Sequence, residues 1–123
     1  MKDRTQRRVA LRTSTLAAEG AAFRRAWKRA EKGLAPEEPR RHLSFADIPA
    51  MMKALTPKRW TLLETLRREG AMSIAALARR LGRDYKNVHA DVAALIGYGL
   101  VQRMPSGVDV PFDLIQAELS LVA

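Results

Sequence analysis

Apolar residues between positions 55 and 104 predict three short helices followed by a hairpin. They recur at spacings of three and four, the period of one helix face turned toward a core. The three sets are Trp60, Leu63 and Leu66; Ile74, Leu77, Ala78 and Leu81; and Tyr85, Val88, Val92, Leu95 and Ile96.

Residues that favour helix ends separate these segments. Thr56 before Pro57 is typical of a first helical turn, and Ser73 and Asp84 are side chains that cap helix N-termini. Gly82 ends the second helix, so only residues 82–84 connect it to the third. A connection this short is typical of a helix-turn-helix.

The segment after the third helix predicts a β-hairpin. Residues 100–104 and 108–112 flank Pro105-Ser106-Gly107, which suits a tight turn, and Pro111 restricts the second strand to a sheet edge. Three helices and a hairpin in this order predict a winged helix-turn-helix, which inserts its third helix into the DNA major groove. The expected fold class is therefore α+β, mostly α, with this domain at residues 43–123.

Residues 1–42 are predicted to form a basic N-terminal extension. Residues 8–12 alternate like a short strand, and Thr13, Ser14 and Thr15 offer caps for a helix that ends at Gly33. A Pro-rich, charged linker is expected at residues 34–42, with His42 solvated in it. The helix carries a narrow apolar stripe that fits one partner helix, either in a second copy or in the chain's own core. The stripe is Leu16, Gly20, Phe23, Trp27, Ala30 and Leu34.

Short segments on either side of the three helices also have predicted structures. Residues 43–45 suggest a brief strand, and Asp47 caps a short helix. Its Ile48, Met51, Met52 and Leu55 are expected to lie on one face. Residues 115–121 alternate and predict a terminal strand. The strands at 8–12 and 115–121 either offer free edges to a protein partner or pair with each other.

The net charge of +9 is concentrated in the extension. Residues 1–42 hold 12 Lys and Arg against 5 Asp and Glu, whereas residues 43–123 hold 10 against 8. Attraction to nucleic-acid phosphates is the favoured explanation, and simple solubility is the alternative. The chain has no cysteine, no signal peptide and no apolar run of the ~20 residues that a bilayer requires, so a cytoplasmic protein without disulfides is expected.

The candidate DNA-contacting residues lie on and around the third helix. Its polar N-terminal face presents Lys86, Asn87 and His89, types that pair with base edges, next to Ala90. We expect phosphate contacts from the helix N-terminus at Ser73 and from the nearby cations, although each cation taken alone is equally consistent with a solvated charge. These cations are Arg79, Arg80, Arg83 and, on the hairpin opposite Asp109, Arg103. No catalytic residues, metal ligands or cofactor are predicted.

The motifs LSF, LTPKRW-TLL, SIAALARRLGRDYKNVHADVAALIGYGLV and VPFD, within residues 20–121, carry a resemblance to a known family. The chain resembles small prokaryotic winged-helix proteins described as predicted transcriptional regulators, related to the MarR and ArsR type. The resemblance implies a dimeric DNA-binding fold, with DNA contacts at Ser73, Tyr85, Lys86, Asn87 and His89. It also implies a basic residue where this chain has Ala90.

Two classes of function are therefore expected. The first is a sequence-specific transcriptional regulator, a repressor in character, that binds double-stranded DNA as a homodimer. Through the resemblance, it includes an autoregulating antitoxin paired with a small toxin. The alternative is a protein-interaction module that uses the winged helix as a scaffold. The hairpin, which is poor in positive charge, and Ala90 favour this alternative. Enzymatic activity is not expected.

Overall fold

The computed structural model describes residues 7–13, 16–34, 41–119 and 121, with the side chains of 16–19 and 41 excepted. Within these residues the chain is α+β, with more residues in helices than in strands, as predicted. The elements in chain order are β1 (Arg8–Thr13), α1 (Leu16–Glu31), β2 (Arg41–Phe45), α2 (Ile48–Ala54), α3 (Pro57–Glu69), α4 (Ile74–Leu81), α5 (Tyr85–Gly97), β3 (Gln102–Met104), β4 (Gly107–Asp109) and β5 (Leu114–Glu118). The predicted caps Ser14 and Thr15 lie outside the described residues.

The chain divides into two compact units that do not follow the predicted boundary at residue 42. Among the described residues, one consists of Arg7 and residues 52–113, and the other of residues 8–13, 16–34, 41–51, 114–119 and 121. The division departs from the sequence order because β5, near the end of the chain, pairs with β1. The predicted boundary rests on local signals, the helix end at Gly33 and the Pro-rich segment 34–42, and such signals carry no information on this long-range pairing.

In the second of these units a parallel sheet has the strand order β2-β1-β5. The helix α1 connects β1 to β2, and parallel neighbours require a crossover of this kind. Since β1 is the central strand, Val9, Ala10 and Leu11 are all buried, although the sequence alternation suggested only one buried face.

This sheet shows how the two terminal strands pair. Leu11 of β1 pairs with Leu43 of β2 on one side and with Ala117 of β5 on the other. Pairing of the two terminal segments with each other is thereby confirmed, and both edges of β1 are occupied. Docking of a partner strand on the outer edge of β5 stays a prediction. The predicted linker, residues 34–42, extends too far along the chain, since His42 lies in β2 and pairs with Ala10.

In the first unit the predicted caps at Thr56 and Ser73 are confirmed, whereas Asp84 precedes α5 without the predicted side-chain capping hydrogen bond. The Thr56 and Ser73 hydroxyl oxygens accept hydrogen bonds from the N–H groups of Arg59 and Ala76 at 3.3 and 3.1 Å, respectively. Gly82 ends α4 in the left-handed conformation with φ 65°, which glycine adopts without a steric penalty. In the second unit, Asp47 accepts a hydrogen bond from the N–H of Ala50 at 2.9 Å and begins α2.

The core of the first unit is formed by the inward faces of α3, α4 and α5 and by the segments around the hairpin. Its fully buried large side chains are Leu62, Leu66, Leu77, Val88, Val92, Leu95, Leu100 and Val108. The prediction for α2 fails at Met52, which is 67% exposed while Met51 is buried. The burial of Leu62 was not predicted, because Trp60, Leu63 and Leu66 already account for a helical apolar face without it.

The hairpin formed by β3 and β4 is confirmed, and it gains a third partner that was not predicted. Met72, just before α4, exchanges two backbone hydrogen bonds with Val108 of β4, at 3.2 and 2.9 Å. Gly107 allows this approach: a Cβ atom there would lie 2.1 Å from the Met72 carbonyl oxygen. The hairpin is therefore attached to the start of α4.

Asp113 ties together two segments and a helix of the first unit. Its carboxylate accepts a hydrogen bond from the Arg7 backbone N–H at 3.0 Å and forms an ion pair with Arg67 of α3. The Asp113 N–H donates in return to the Arg7 carbonyl at 2.8 Å. The Arg7 N–H, and then the Arg67 guanidinium, hold the pKa of Asp113 below its ordinary value. No helix among the described residues is long and apolar enough to span a bilayer.

Candidate nucleic-acid interface

One face of α5 is anchored in the core, and the opposite face is free. Val88, Val92 and Leu95 are completely buried, which fixes the rotation of the helix about its own axis. Lys86 and Asn87 are consequently exposed in the first helical turn, as the sequence predicted. Neither side chain has a hydrogen bond or an ion pair to another residue that the structure describes.

The outward face continues with aromatic and small side chains. Tyr85 was placed in the buried stripe by the sequence analysis and also named as a DNA contact, but the burial was wrong because the ring is 51% exposed. It lies beside His89, with the two ring centroids 5.8 Å apart. Ala90 and Ala93 are exposed on the same side. A polar edge next to small residues leaves room for a partner to approach the helix backbone closely.

The connection between α4 and α5 is held by an ion-pair network. The Asp91 carboxylate of α5 accepts from Arg83 Nη2 at 2.9 Å and from Arg59 Nε at 3.0 Å. Arg59 also donates to the Ala54 carbonyl at 2.7 Å. All three charged side chains are at most 20% exposed. The network therefore links α3, the turn and α5.

This network changes the expected position of Arg83. The sequence analysis placed its guanidinium near DNA phosphates, whereas the structure places it on Asp91, with Nη1 buried and without a hydrogen-bond partner among the described residues. A phosphate would have to compete with a carboxylate of the same chain. Arg83 therefore suits a role in holding the turn better than a role in binding DNA.

Arg79 and Arg80 lie at the end of α4 beside a shallow depression that Glu69, Met72 and Ala76 also line. Arg80 Nε donates to the Glu69 carboxylate at 2.6 Å. Arg79 is exposed and forms no ion pair with another described residue. Of the three arginines predicted to contact phosphate, Arg79 has the guanidinium that is most available.

The hairpin offers one exposed cation. Arg103 of β3 is exposed and pairs in register with Val108, while Asp109 stands opposite Gln102. The expected opposition of Arg103 and Asp109 is therefore wrong by one residue. Asp109 Oδ1 is buried with no hydrogen-bond partner among the described residues.

The residues predicted for assembly lie on α1, in the second of the two units. Phe23 and Trp27 are exposed, so they do not pack into the chain's own core. The side chain of Leu16 lies outside the described residues. Packing of this stripe on a partner stays a prediction.

Sequence reasoning missed the residues that position the interface. Asp91 and Arg59 are 32 positions apart, and Glu69 and Arg80 are 11 apart, so no local spacing indicates either contact. Arg83 and Asp91 are eight positions apart and are separated by the start of α5. A charged residue at the margin of an apolar stripe, as Asp91 is, was the only available signal.

The comparison with known families assigns the chain to a family. A model of the family HVO_A0114 matches residues 54–117, just over half of the chain, and the chain belongs to this family. The matched segment runs from the end of α2 through α3, α4, α5 and the hairpin into β5. No curated protein and no solved structure gives a significant match.

Proposed function

We propose that the chain is a sequence-specific DNA-binding transcriptional regulator of the winged helix-turn-helix type, with α5 as the helix that reads the major groove. One observation carries the proposal: Lys86 and Asn87 stand exposed, without described partners, on a helix whose rotation the core fixes. Lysine can contact guanine, and asparagine can pair bidentately with adenine. Preorganised polar groups of this kind lose little conformational freedom on binding.

The arrangement around α5 supports the same proposal. The tight turn at Gly82 and the hairpin attached to Met72 give the helix order and the wing that this fold requires. Arg79 and the N-terminus of α4 at Ser73 supply groups that suit phosphates. A protein that occupies an operator through such a surface represses by blocking access to the promoter, and its own promoter is the first operator to test.

Binding of α5 to DNA is tested by fluorescence anisotropy with the chain's own promoter fragment and a shuffled fragment. Lys86→Ala and Asn87→Ala should each weaken binding to the promoter by about 1–3 kcal/mol, roughly 5- to 150-fold. Lys53→Ala removes an equal charge from an exposed position on α2 and serves as the control. Wild-type affinity for the promoter in both α5 variants would exclude this helix as the reading element.

A second candidate function is a protein-interaction module. The exposed Phe23 and Trp27 favour it, together with a hairpin on which Arg103 is the only Lys or Arg. An absence of salt-dependent binding to the promoter fragment and to other duplexes at low salt would support this alternative.

The antitoxin hypothesis rests on the family resemblance alone and stays a prediction. Co-expression with the product of the adjacent gene, followed by co-purification, tests it directly. A stable complex that changes operator affinity would support autoregulation by a toxin pair. If no complex forms and a metabolite instead changes the affinity for DNA, a ligand-responsive repressor would replace this hypothesis.

A further inference from the structure

The helix α1 carries an aromatic surface that the proposed DNA contacts do not use. Phe23 is 67% and Trp27 is 59% exposed, and their ring centroids lie 6.3 Å apart. Leu34, predicted for the same stripe, lies beyond the end of α1 after the left-handed Gly33 and is 48% exposed. Leaving side chains of this size in water is unfavourable, because burying each one fully contributes about 1.5–3 kcal/mol. The stripe therefore has the character of an interface.

The charges of α1 are arranged so that the stripe itself is nearly neutral. At a helical repeat of 100° per residue, Arg25 and Lys32 fall on the side opposite Phe23 and Trp27. Lys28 and Arg29 fall further from the stripe than its immediate edges. Most of the positive charge would thus remain in water if the stripe were covered.

The two edges of the stripe differ from each other. One edge carries Arg24 and Glu31, seven residues apart and therefore in line along the helix, and the other carries Glu19 and the small residue Ala26, which are also seven residues apart. Glu31 also accepts the indole N–H of Trp27 at 2.7 Å, which fixes the carboxylate at this edge. Arg24 forms no ion pair with any other described residue.

We infer that this surface binds a second copy of the chain, with the two α1 helices antiparallel. Like edges meet in an antiparallel pair, so Arg24 of each copy faces Glu31 of the other across a two-fold axis near Trp27. A symmetric contact of this kind is self-complementary. On the opposite edge the Ala26 residues of the two copies lie near the axis, and this small side chain allows the helices to approach closely. The inference goes beyond the proposed function and does not depend on it.

Other occupants fit the surface less well. A parallel pair would place Arg24 opposite Glu19 but Glu31 opposite Ala26, so Glu31 would gain no opposite charge, whereas the antiparallel pair uses both Arg24 and Glu31. A strongly acidic partner would match the side bearing Arg25 and Lys32, which lies away from the aromatic rings. A helix of 16 residues is about 24 Å long, so one such pair is small for a stable interface, and a dissociation constant on the order of micromolar is expected.

The test uses the full chain in sedimentation equilibrium between about 1 and 200 µM, at low and moderate salt. Wild type should dimerise, and Arg24→Glu and Glu31→Arg should each dissociate roughly tenfold more readily, because each places like charges across the seam. Mixed in equal amounts, the two variants present opposite charges at both positions. The mixture should therefore recover dimers at least as stable as wild type.

Lys32→Glu changes the same charge on the opposite side and is the control, with an expected effect below threefold. Phe23→Asp with Trp27→Asp should give monomers that keep the wild-type circular dichroism spectrum, since both side chains are exposed. A wild-type chain that stays monomeric over the whole range would overturn the inference. Failure of the two charge variants to associate when mixed would also overturn it.

Discussion

Asp91 and Arg83 are joined at 2.9 Å, and this ion pair fastens the start of α5 to the turn that precedes it. Arg59 approaches the other carboxylate oxygen from α3 at 3.0 Å. The Asp91 carboxylate is thus the counter-charge for two guanidinium groups that are largely buried. The orientation of the exposed residues Lys86 and Asn87 depends on this network as well as on the apolar core.

Asp91→Asn should lower the free energy of unfolding by about 2–3 kcal/mol, because it leaves two poorly solvated guanidinium groups without a counter-charge. Urea denaturation followed by circular dichroism measures the loss. Asp84→Asn is the matched control: the Asp84 side chain makes no capping hydrogen bond, and a change within about 0.5 kcal/mol is expected. Equal urea midpoints for wild type and Asp91→Asn would show that the network contributes nothing to stability.

Substitution of Arg79, Arg80 or Arg83 should change the salt dependence of DNA binding to different extents. Arg79→Ala should flatten the dependence of log affinity on log salt concentration by about one unit, equally for all sequences, because a free guanidinium is lost from phosphate contact. Arg83→Ala should leave that slope unchanged and lower the urea midpoint, since this side chain is engaged by Asp91. Arg80, held by Glu69, should give an intermediate slope. The reverse order, with Arg83 dominating the salt dependence, would contradict this assignment.

Gly107→Ala should destabilise the protein by about 1–3 kcal/mol, because φ is 134° and the new Cβ would overlap the Met72 backbone. Hydrogen exchange should show faster exchange of the Met72 and Val108 amides, which hold the hairpin to α4. Gly97→Ala, in a helix with nothing within 4 Å of the added atom, is the control and should be neutral or stabilising. Unchanged protection of both amides in Gly107→Ala would show that the attachment is not sensitive to this position.

Asp113 should make stability dependent on pH in the acid range. Its pKa is lowered in the folded state by the Arg7 N–H and by Arg67, so the ionised form stabilises the fold. This stabilisation is complete above the pKa of the unfolded chain, about 3.9, and is lost as the pH falls through the lower folded-state pKa. Urea midpoints of wild type and Asp113→Asn should therefore converge below about pH 4. A constant difference from pH 7 to pH 3 would rule out the linkage.

The sequence predicted what is encoded locally. Thr56, Ser73 and Gly82 act within a few residues of themselves, and the helical spacing of Val88, Val92 and Leu95 specifies one buried face, so the helices and the exposed side of α5 could be predicted. The role of Asp91 could not, because it depends on Arg59 from another helix. The parallel order of β1, β2 and β5 was also out of reach, since alternation identifies a strand but not its neighbours.

The pairing of β1 with β5 has a consequence for the order in which the protein forms during synthesis. The hydrogen bond between Arg7 and Asp113, next to these strands, joins residues that are 106 positions apart. The helices and hairpin of residues 52–113 have been translated before β5 begins, and β1 until then has only β2 as a strand partner. One edge of the most apolar strand in the sheet thus stays open to other chains until the ribosome has released the last strand. Ribosomes that stall before residue 114 would display this edge.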